Sequence, residues 1–303
     1  MKLFIITINY NGSENTTKLL RSLYEQTDRD FEIVIVDNAS DGADFISLQT
    51  ATKGIFAKMP FVASVVRNKK NLGFSGGNNV GIGQALENRA DWVLLLNNDT
   101  WVGEDFIASL RVKLGSSGGI VGLPLVEEDR TAYCGRIEWL KPTLRHDYEN
   151  SKFQIPPACR TGRNSKFYAV GGAMVISKDA FDKIGELDEK YFLYFEDADF
   201  CVRARRAKIP ISITDKVMIH HNVSATTKKL GSPLLLRYHY RNALYFNRKN
   251  GPWYIKVAVW PWSWVIILKQ FLKMGLNINE EESRAILDGV FDWYMNRMGR
   301  VKS

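Results

Sequence analysis

The sequence predicts an α/β fold built on a largely parallel β-sheet. Through the first half, short runs of apolar and β-branched residues alternate with segments whose apolar residues recur at helical spacing. That alternation marks βαβ units, with strands covered on both faces. In addition, three apolar runs end on polar tips, Asn9–Asn11, Asp37–Ser40 and Asn97–Asp99. Right-handed crossovers bring such strand ends to one edge of the sheet, where open α/β sheets bind ligands.

Taken in order, Leu3–Ile8 reads as a buried strand, Glu14–Gln26 as an amphipathic helix and Phe31–Val36 as a strand ending on Asp37-Asn38. Phe61–Val66 is a further strand and Gly77–Asn88 a helix; Trp92–Leu96, Glu104–Leu114 and Gly119–Leu123 follow as strand, helix and strand. Residues 124–165, rich in Arg, Pro and polar groups, are expected to be loops with short strands. Phe167–Ser177 is a strand carrying Gly171-Gly172, and Lys178–Ile184 a helix capped by Ser177. Glu196–Ala207 is helical, with Glu196, Asp197 and Asp199 in its first turn and Arg203, Arg205 and Arg206 in its last, a polarity that suits the macrodipole. Asp199 and Arg203 lie four apart and are expected to pair, which leaves Asp197, on another side, as the free acid.

Beyond about residue 227 the composition shifts. Helical patterns Pro233–Arg248 and Glu280–Met298 flank an apolar run, Trp253–Leu268, with four tryptophans. With Lys256, Lys269 and Lys273 beside it, the segment 253–273 resembles an interfacial membrane element, rings at headgroup depth and cations outward. A helical hairpin packed on the preceding domain, or on a second copy in a homo-oligomer, fits the same residues. Pro261 is expected to split the run, and without 18 consecutive uncharged apolar residues no spanning helix is expected.

The 303 residues, 45% hydrophobic and 24% charged, suffice for one large domain with an appendage. A formal charge of +8 favours polyanionic partners such as nucleotide phosphates or an anionic membrane. Its basic residues are scattered rather than striped with aromatics, which disfavours a nucleic-acid binder. Cys134, Cys159 and Cys201 form no C-x-x-C pair, so neither a disulfide framework nor a structural zinc site is expected, and a reducing compartment fits. The apolar N-terminal run is too short for a secretory signal.

The chemistry concentrates in two acids. Asp197 lies in the aromatic run Tyr191–Phe200, where a carboxylate is costly unless a proton, cation or donor compensates it. Asp99 closes the strand-ending tip Asn97-Asn98-Asp99. Together they suggest a cation site facing a general base. The stretch Asn71-Leu72-Gly73-Phe74-Ser75-Gly76-Gly77-Asn78 lacks the Lys-Ser/Thr of a P-loop, and Gly81-Ile82-Gly83-Gln84 fails the dinucleotide fingerprint. What remains is a turn entering a helix, with free amides able to meet an anion.

In succession, Asn9-Tyr10-Asn11, Val36-Asp37-Asn38-Ala39-Ser40, Asn71-Leu72-Gly73-Phe74, Leu96-Asn97-Asn98-Asp99-Thr100, Gly171-Gly172-Ala173, Gly185-Glu186-Leu187-Asp188 and Phe195-Glu196-Asp197-Ala198-Asp199 form a pattern. Over about residues 3–225 it resembles family 2 glycosyltransferases of the GT-A fold, close to the bacterial rhamnosyltransferase-like branch. The resemblance implies a Rossmann-like mixed sheet in a catalytic domain over 1–226, with a nucleotide-sugar half to about 123 and an acceptor half from 124, and a helical C-terminal extension over 227–303. It implies that Asp37 binds a pyrimidine base, whose imide N–H suits a carboxylate. Asn9, Asn11 and Asn38 would line the nucleotide, and Asn71, Gly73, Phe74 and Asn78 the nucleoside or its sugar. The family's Asp-x-Asp motif appears as Asn97-Asn98-Asp99, so Asp99 would hold a divalent ion, Mg²⁺ or Mn²⁺, with Asn98 beside the diphosphate and fewer carboxylates than usual. His221 would stand near that ion, with His220 the weaker candidate; Asp197 would be the base; Gly172 and Glu196 would meet the acceptor.

The implied function is metal-dependent, inverting transfer of a sugar from dTDP-rhamnose or another dTDP/UDP sugar to a surface-polysaccharide or polyprenyl-diphosphate-linked glycan. The expected location is the cytoplasm, at the inner membrane face. The alternative is a non-catalytic nucleotide-sugar or carbohydrate-binding module on the same fold, which the presence of both Asp197 and Asp99 disfavours.

Overall fold

A computed structural model describes residues 1–57, 63–127, 130–149, 166–221 and 232–301. The first half runs β1 (Leu3–Asn9), α1 (Ser13–Tyr24), β2 (Phe31–Asp37), α2 (Gly42–Ile55), β3 (Ala63–Arg67), α3 (Gly73–Glu87), β4 (Trp92–Leu96), β5 (Thr100–Trp101), α4 (Phe106–Leu114) and β6 (Ile120–Gly122). Short strands follow, β7 (Leu125–Val126), β8 (Thr131–Arg136), β9 (Arg145–Glu149) and β10 (Phe167–Tyr168), then β11 (Ala173–Ser177), α5 (Lys178–Ile184), α6 (Glu196–Arg206), β12 (Ile211–Ile213) and β13 (Ile219–His221). Three helices close the chain: α7 (Ser232–Asn250), α8 (Trp253–Gly275) and α9 (Glu280–Tyr294).

The main sheet has seven strands in the order β12-β6-β11-β4-β1-β2-β3. Strands β1 to β4 are mutually parallel, and β11 runs against both its neighbours, β4 and β6. The sheet is therefore mixed, as the resemblance implies and the periodicity of the first half alone does not. Alternate residues of β1 feed two cores: Phe4 and Ile6 meet Ile82 and Ala85 of α3, while Leu3 and Ile5 meet α1, α2 and α4 through Leu19, Leu48 and Ile107. With both faces covered, these strands are continuously apolar. The chain moves outward from β1 through β2 to β3, then returns to β4 on the other side of β1. That reversal opens a crevice beyond the carboxyl ends of β1 and β4.

A second sheet, β10-β8-β7-β13-β5 with β9 on β8, stands beside that crevice. The expected strand Phe167–Ser177 is broken at Gly171-Gly172: β10 joins the second sheet and β11 the first. Helix α2 escapes sequence reading because its apolar spacing is weak; only Leu48 and Thr52 are buried. Residues 61–62 of the expected third strand, Cys159 and the 226/227 boundary lie outside the described residues. Contrary to expectation Cys134 is disulfide-bonded, its partner also outside the described residues, whereas Cys201 is free and buried.

Pro261 does not split the tryptophan-rich segment; α8 runs through it. A mid-helix proline removes one ladder bond and costs about 3 kcal/mol, but Val259, Ile266 and Ile267 anchor the helix in a cluster with Leu244 of α7 and Val290 of α9. By length and composition α8 also qualifies to cross a membrane, with a mean hydropathy of 1.2, although no wholly uncharged run exists. The hairpin expectation and the apolar outer face coexist: one side of α8 is packed, while Trp253, Val257, Trp264, Leu268 and Leu272 on the other are more than half exposed.

Candidate active site

Several side chains at the sheet edge expected to face a ligand are structural braces. Asn9 is fully buried; its amide donates to Asp37 Oδ1 (3.2 Å), Ser40 Oγ (3.0 Å) and Asp44 Oδ2 (2.7 Å), and its Oδ1 accepts from Thr16 (2.8 Å). It shapes the crevice and does not line it. Asp37 is fully buried too, held by Asn9, the Ser40 N–H (3.3 Å) and Arg67 Nε (3.4 Å). Arg67 is half-exposed and its guanidinium lies over the Phe45 ring. Asn11, exposed with φ +49°, accepts from the Asp41 N–H (2.8 Å) and forms the rim.

Asn38 ties this edge to the glycine-rich turn. Its amide donates to Asn71 Oδ1 (3.1 Å) and the Gly73 carbonyl (2.9 Å), and its Oδ1 accepts from the Leu72 N–H (3.0 Å). The Gly73 N–H goes to Asn71 Oδ1 (2.7 Å) and the Phe74 N–H to the Phe192 carbonyl (2.6 Å). The N–H groups of Leu72, Gly73 and Phe74 are thus spent at the helix entry, which begins four residues earlier than its periodicity suggests because Gly73, at φ +75°, can make the turn. Asn78 is buried and donates to the Phe74 carbonyl (3.0 Å), bracing the first turn of α3.

Asp197 occupies the first turn of α6, where its carboxylate accepts from the N–H groups of Gly171 (3.0 Å) and Ala198 (2.7 Å). Burial raises its pKa to about 6, and those backbone hydrogen bonds hold it from going higher. Glu196 is pushed well up by burial and then by the charge of Asp197, and its Oε2 has no partner. The acid beyond them is structural as expected: Asp199 is fully buried and pairs with Arg203 Nε (2.8 Å), Lys249 Nζ (2.8 Å) and Asn250 (2.6 Å). The approach to Asp197 is strained, since Phe192, Tyr194 and Phe195 have φ of 64°, 70° and 76°. Left-handed conformations of such residues cost on the order of 1–3 kcal/mol each, a level of strain that clusters at functional sites.

The two-glycine turn before β11 joins the two acids' neighbourhoods. Gly171 donates to Asp197, while a Cβ on Gly172 would lie 2.4 Å from the Asn97 side chain, two residues before Asp99. Asn98 donates to Thr16 (3.0 Å) at the same edge. Asp99 is buried, and its Oδ1 lacks a hydrogen-bond partner. Antiparallel pairing of β13 with β5 sets His221 opposite Thr100, placing its Nε2 3.5 Å from Asp99 Oδ1 and its Nδ1 3.5 Å from Glu127. Burial opposes protonation of His221, but the Asp99 carboxylate 3.5 Å away, and then Glu127, outweigh it and raise its pKa. His220 points elsewhere, stacked on Trp101 at 3.8 Å.

An orphaned buried carboxylate oxygen against an imidazole is a donor set that fits a divalent cation. Among the described residues no group of three or more His, Cys, Asp or Glu side chains could hold a metal by itself, so such a cation would draw further ligands from a bound diphosphate. Sequence reading missed Glu127 and Arg67, which no motif marks; the strand pairings reveal them, setting Arg67 opposite Asp37 and Val126, beside Glu127, opposite His220.

Comparison with known proteins identifies the family. The family model described as glycosyl transferase family 2 matches residues 4–185. A low-salt glycan biosynthesis hexosyltransferase, Agl10 of Haloferax volcanii, is 28% identical over 79% of this chain and 73% of its own. The dTDP-rhamnosyl transferase RfbF of Shigella flexneri is 23% identical over 82% of this chain and 80% of its own. An N-acetylglucosaminyl-diphospho-decaprenol L-rhamnosyltransferase of Mycobacterium tuberculosis is 21% identical over 93% and 96%. In fold, the chain is similar to S. aureus TarS 1-349 in complex with UDP-GlcNAc (TM-score 0.60, 16% identity, 97% and 80% covered). It is also similar to the Pyrobaculum calidifontis mannosyltransferase PcManGT in complex with GDP-Man and Mn²⁺ (TM-score 0.57, 13% identity, 97% and 87% covered).

Proposed function

The chain belongs to glycosyl transferase family 2, in its rhamnosyltransferase-like branch, and is a GT-A glycosyltransferase that takes its sugar from a nucleotide-sugar donor; we propose that it performs a metal-dependent, inverting transfer from dTDP-rhamnose or another dTDP/UDP sugar to a hydroxyl of a lipid-linked or surface glycan. The observation that carries this is the turn Gly171-Gly172, which touches the buried base at one glycine and the Asn97–Asp99 tip at the other. Asp197 takes the proton of the acceptor hydroxyl as that oxygen attacks the anomeric carbon, and the nucleoside diphosphate leaves from the opposite face. General-base assistance of this kind contributes roughly 10²–10⁴-fold in rate. Asp99 and His221 would hold a divalent ion, which when bound neutralises charge on the leaving diphosphate. Glu196, whose pKa is pushed well up by burial and the charge of Asp197, leaves its Oε2 without a protein partner and so available to an acceptor oxygen.

The donor assignment is supported by the pyrimidine-type carboxylate Asp37 and by the dTDP-rhamnosyl relative. The lipid-linked acceptor is supported by the decaprenol-linked relative and by the exposed apolar side of α8, a helix with no acid among its 23 residues and with three lysines, Lys256, Lys269 and Lys273. Such a face suits an anionic bilayer surface.

Thermal unfolding against a panel of nucleotide sugars, with and without Mn²⁺, tests the reading. A donor at 100 times its dissociation constant adds about 2.7 kcal/mol of stability. Dependence of that gain on Mn²⁺ for a dTDP or UDP sugar is expected; indifference to every sugar in the panel would refute the assignment.

A further inference from the structure

The strained approach to Asp197 is held from outside the sheet, by α7. Each aromatic side chain of the left-handed loop meets a partner on one stripe of that helix. Tyr191 packs edge-on to Tyr245 (5.1 Å), Phe192 stacks on Tyr238 (5.5 Å), Tyr194 stacks on His239 (4.2 Å), and Phe195 meets Phe246 (5.5 Å). Positions 238, 239, 242, 245 and 246 share one helix face. At the centre of that stripe is Asn242, fully buried, whose amide lies 2.9, 2.7 and 3.2 Å from the carbonyls of Tyr191, Leu193 and Tyr194. Its own Oδ1 accepts from Arg241 Nε (3.0 Å), and Arg241, almost fully buried, adds a contact to the Tyr191 carbonyl (3.3 Å).

A backbone in a sparsely populated conformation persists only where its surroundings over-determine it. The Tyr191 carbonyl also accepts from the Leu193 N–H (2.7 Å), whereas the carbonyls of Leu193 and Tyr194, in the left-handed stretch, take their hydrogen bonds from Asn242. An asparagine amide offers two hydrogens in one plane and, with one of them shared between two carbonyls, can serve all three without a compensating charge. The same loop reaches the donor side, because the Phe192 carbonyl accepts from the Phe74 N–H (2.6 Å) and a Cβ on Gly73 would collide with it at 2.3 Å.

We propose that Asn242 is a positioning residue for the base: by locking residues 191–195 it sets where Asp197 stands relative to the glycine-rich turn at Gly73-Phe74, so that the C-terminal helices complete the catalytic centre. This rests on the reading of Asp197 as the base, and its test separates the two.

The comparison uses the full-length protein, Asn242→Leu and Asp197→Asn, singly and together. Release of nucleoside diphosphate is followed from dTDP-rhamnose and UDP-N-acetylglucosamine with Mn²⁺, alongside hydrogen exchange. Asn242→Leu is expected to lower kcat by about 30–300-fold with KM for the sugar nucleotide changed less than about threefold. It should also speed exchange at residues 71–76 and 191–199 while β1 and β2 stay protected. On the Asp197→Asn background the same substitution should cost less than about threefold, because its effect passes through that carboxylate. An equal loss on both backgrounds, an unchanged kcat, or unchanged exchange in 191–199 would overturn the proposal. Near-normal turnover of Asp197→Asn would instead remove the base assignment, leaving the exchange result to decide whether Asn242 locks the loop. If Asn242→Leu does not fold, Asn242→Ser, which keeps one donor, carries the same comparisons; if neither sugar turns over, exchange decides alone.

Discussion

Asp197 combines three properties that a merely structural acid does not need together: burial, backbone donors that keep it ionisable, and no cation within pairing distance among the described residues. With Asp197 as the proposed base, a pKa raised to about 6 is expected to set the acid limb of activity. Turnover should fall about tenfold per pH unit below that value as the base takes up its proton, which a pH–rate profile of kcat/KM reads directly. The sign for stability is opposite. A folded-state pKa above the unfolded value means that the ionised carboxylate costs stability, and the cost is relieved as pH falls through about 6 towards 3.8. Asp197→Asn should therefore lower kcat roughly 10²–10⁴-fold while leaving stability at pH 7 unchanged or higher by on the order of 1–3 kcal/mol; a combined kinetic and urea-unfolding measurement checks both. Asp99→Ala removes the orphaned oxygen at the other side of the turn. Donor affinity by calorimetry should then weaken in Mn²⁺ and become insensitive to EDTA.

Single elements carry the site because each ends on it. Helix α6 places Asp197 and Asp199 two positions apart, so one meets the Gly171 turn and the other the core, where Lys249 and Arg203 neutralise it and Asn250 donates to it. Removing that buried partner should leave cations uncompensated: Asp199→Ala is expected to cost about 3–5 kcal/mol in urea unfolding, far more than an exposed pair would. Helix α3 starts at Gly73 because only a residue without a Cβ fits both φ +75° and the Phe192 carbonyl. Gly73→Ala should destabilise by roughly 1–3 kcal/mol and disturb the donor side of the crevice, seen as a raised KM for the sugar nucleotide. The polar tips of β1 and β2, legible in the sequence as an edge, prove to be largely internal scaffolding. Periodicity identifies the end of a strand, whereas whether Asn9 faces ligand or neighbour depends on Thr16 and Asp44, seven and thirty-five residues away.

Across the whole molecule, the C-terminal helices face two ways. Helix α7 grips the catalytic loop, and α8 turns tryptophans and lysines outward. The proposed contact with an anionic bilayer predicts that the protein floats with phosphatidylglycerol vesicles at low salt and is released as salt screens its lysines. Replacing Trp253 and Trp264 with Ala should weaken flotation at least tenfold without altering donor hydrolysis. Flotation with zwitterionic vesicles alone, or none at all, would speak for a protein partner on that face.

The sequence by itself determined the alternating strands and helices, the reactive edge, the two acids and the family, because periodicity, desolvation cost and ordered motifs are local or sequential properties. Tertiary structure alone decided that β11 runs against its neighbours, that His221 meets Asp99 and Glu127 through a strand pairing, and that Asn242 serves three carbonyls some fifty residues earlier in the chain. Each of these depends on which backbone groups find partners across space, and hydrogen-bond satisfaction between distant segments leaves no periodic trace in the order of residues.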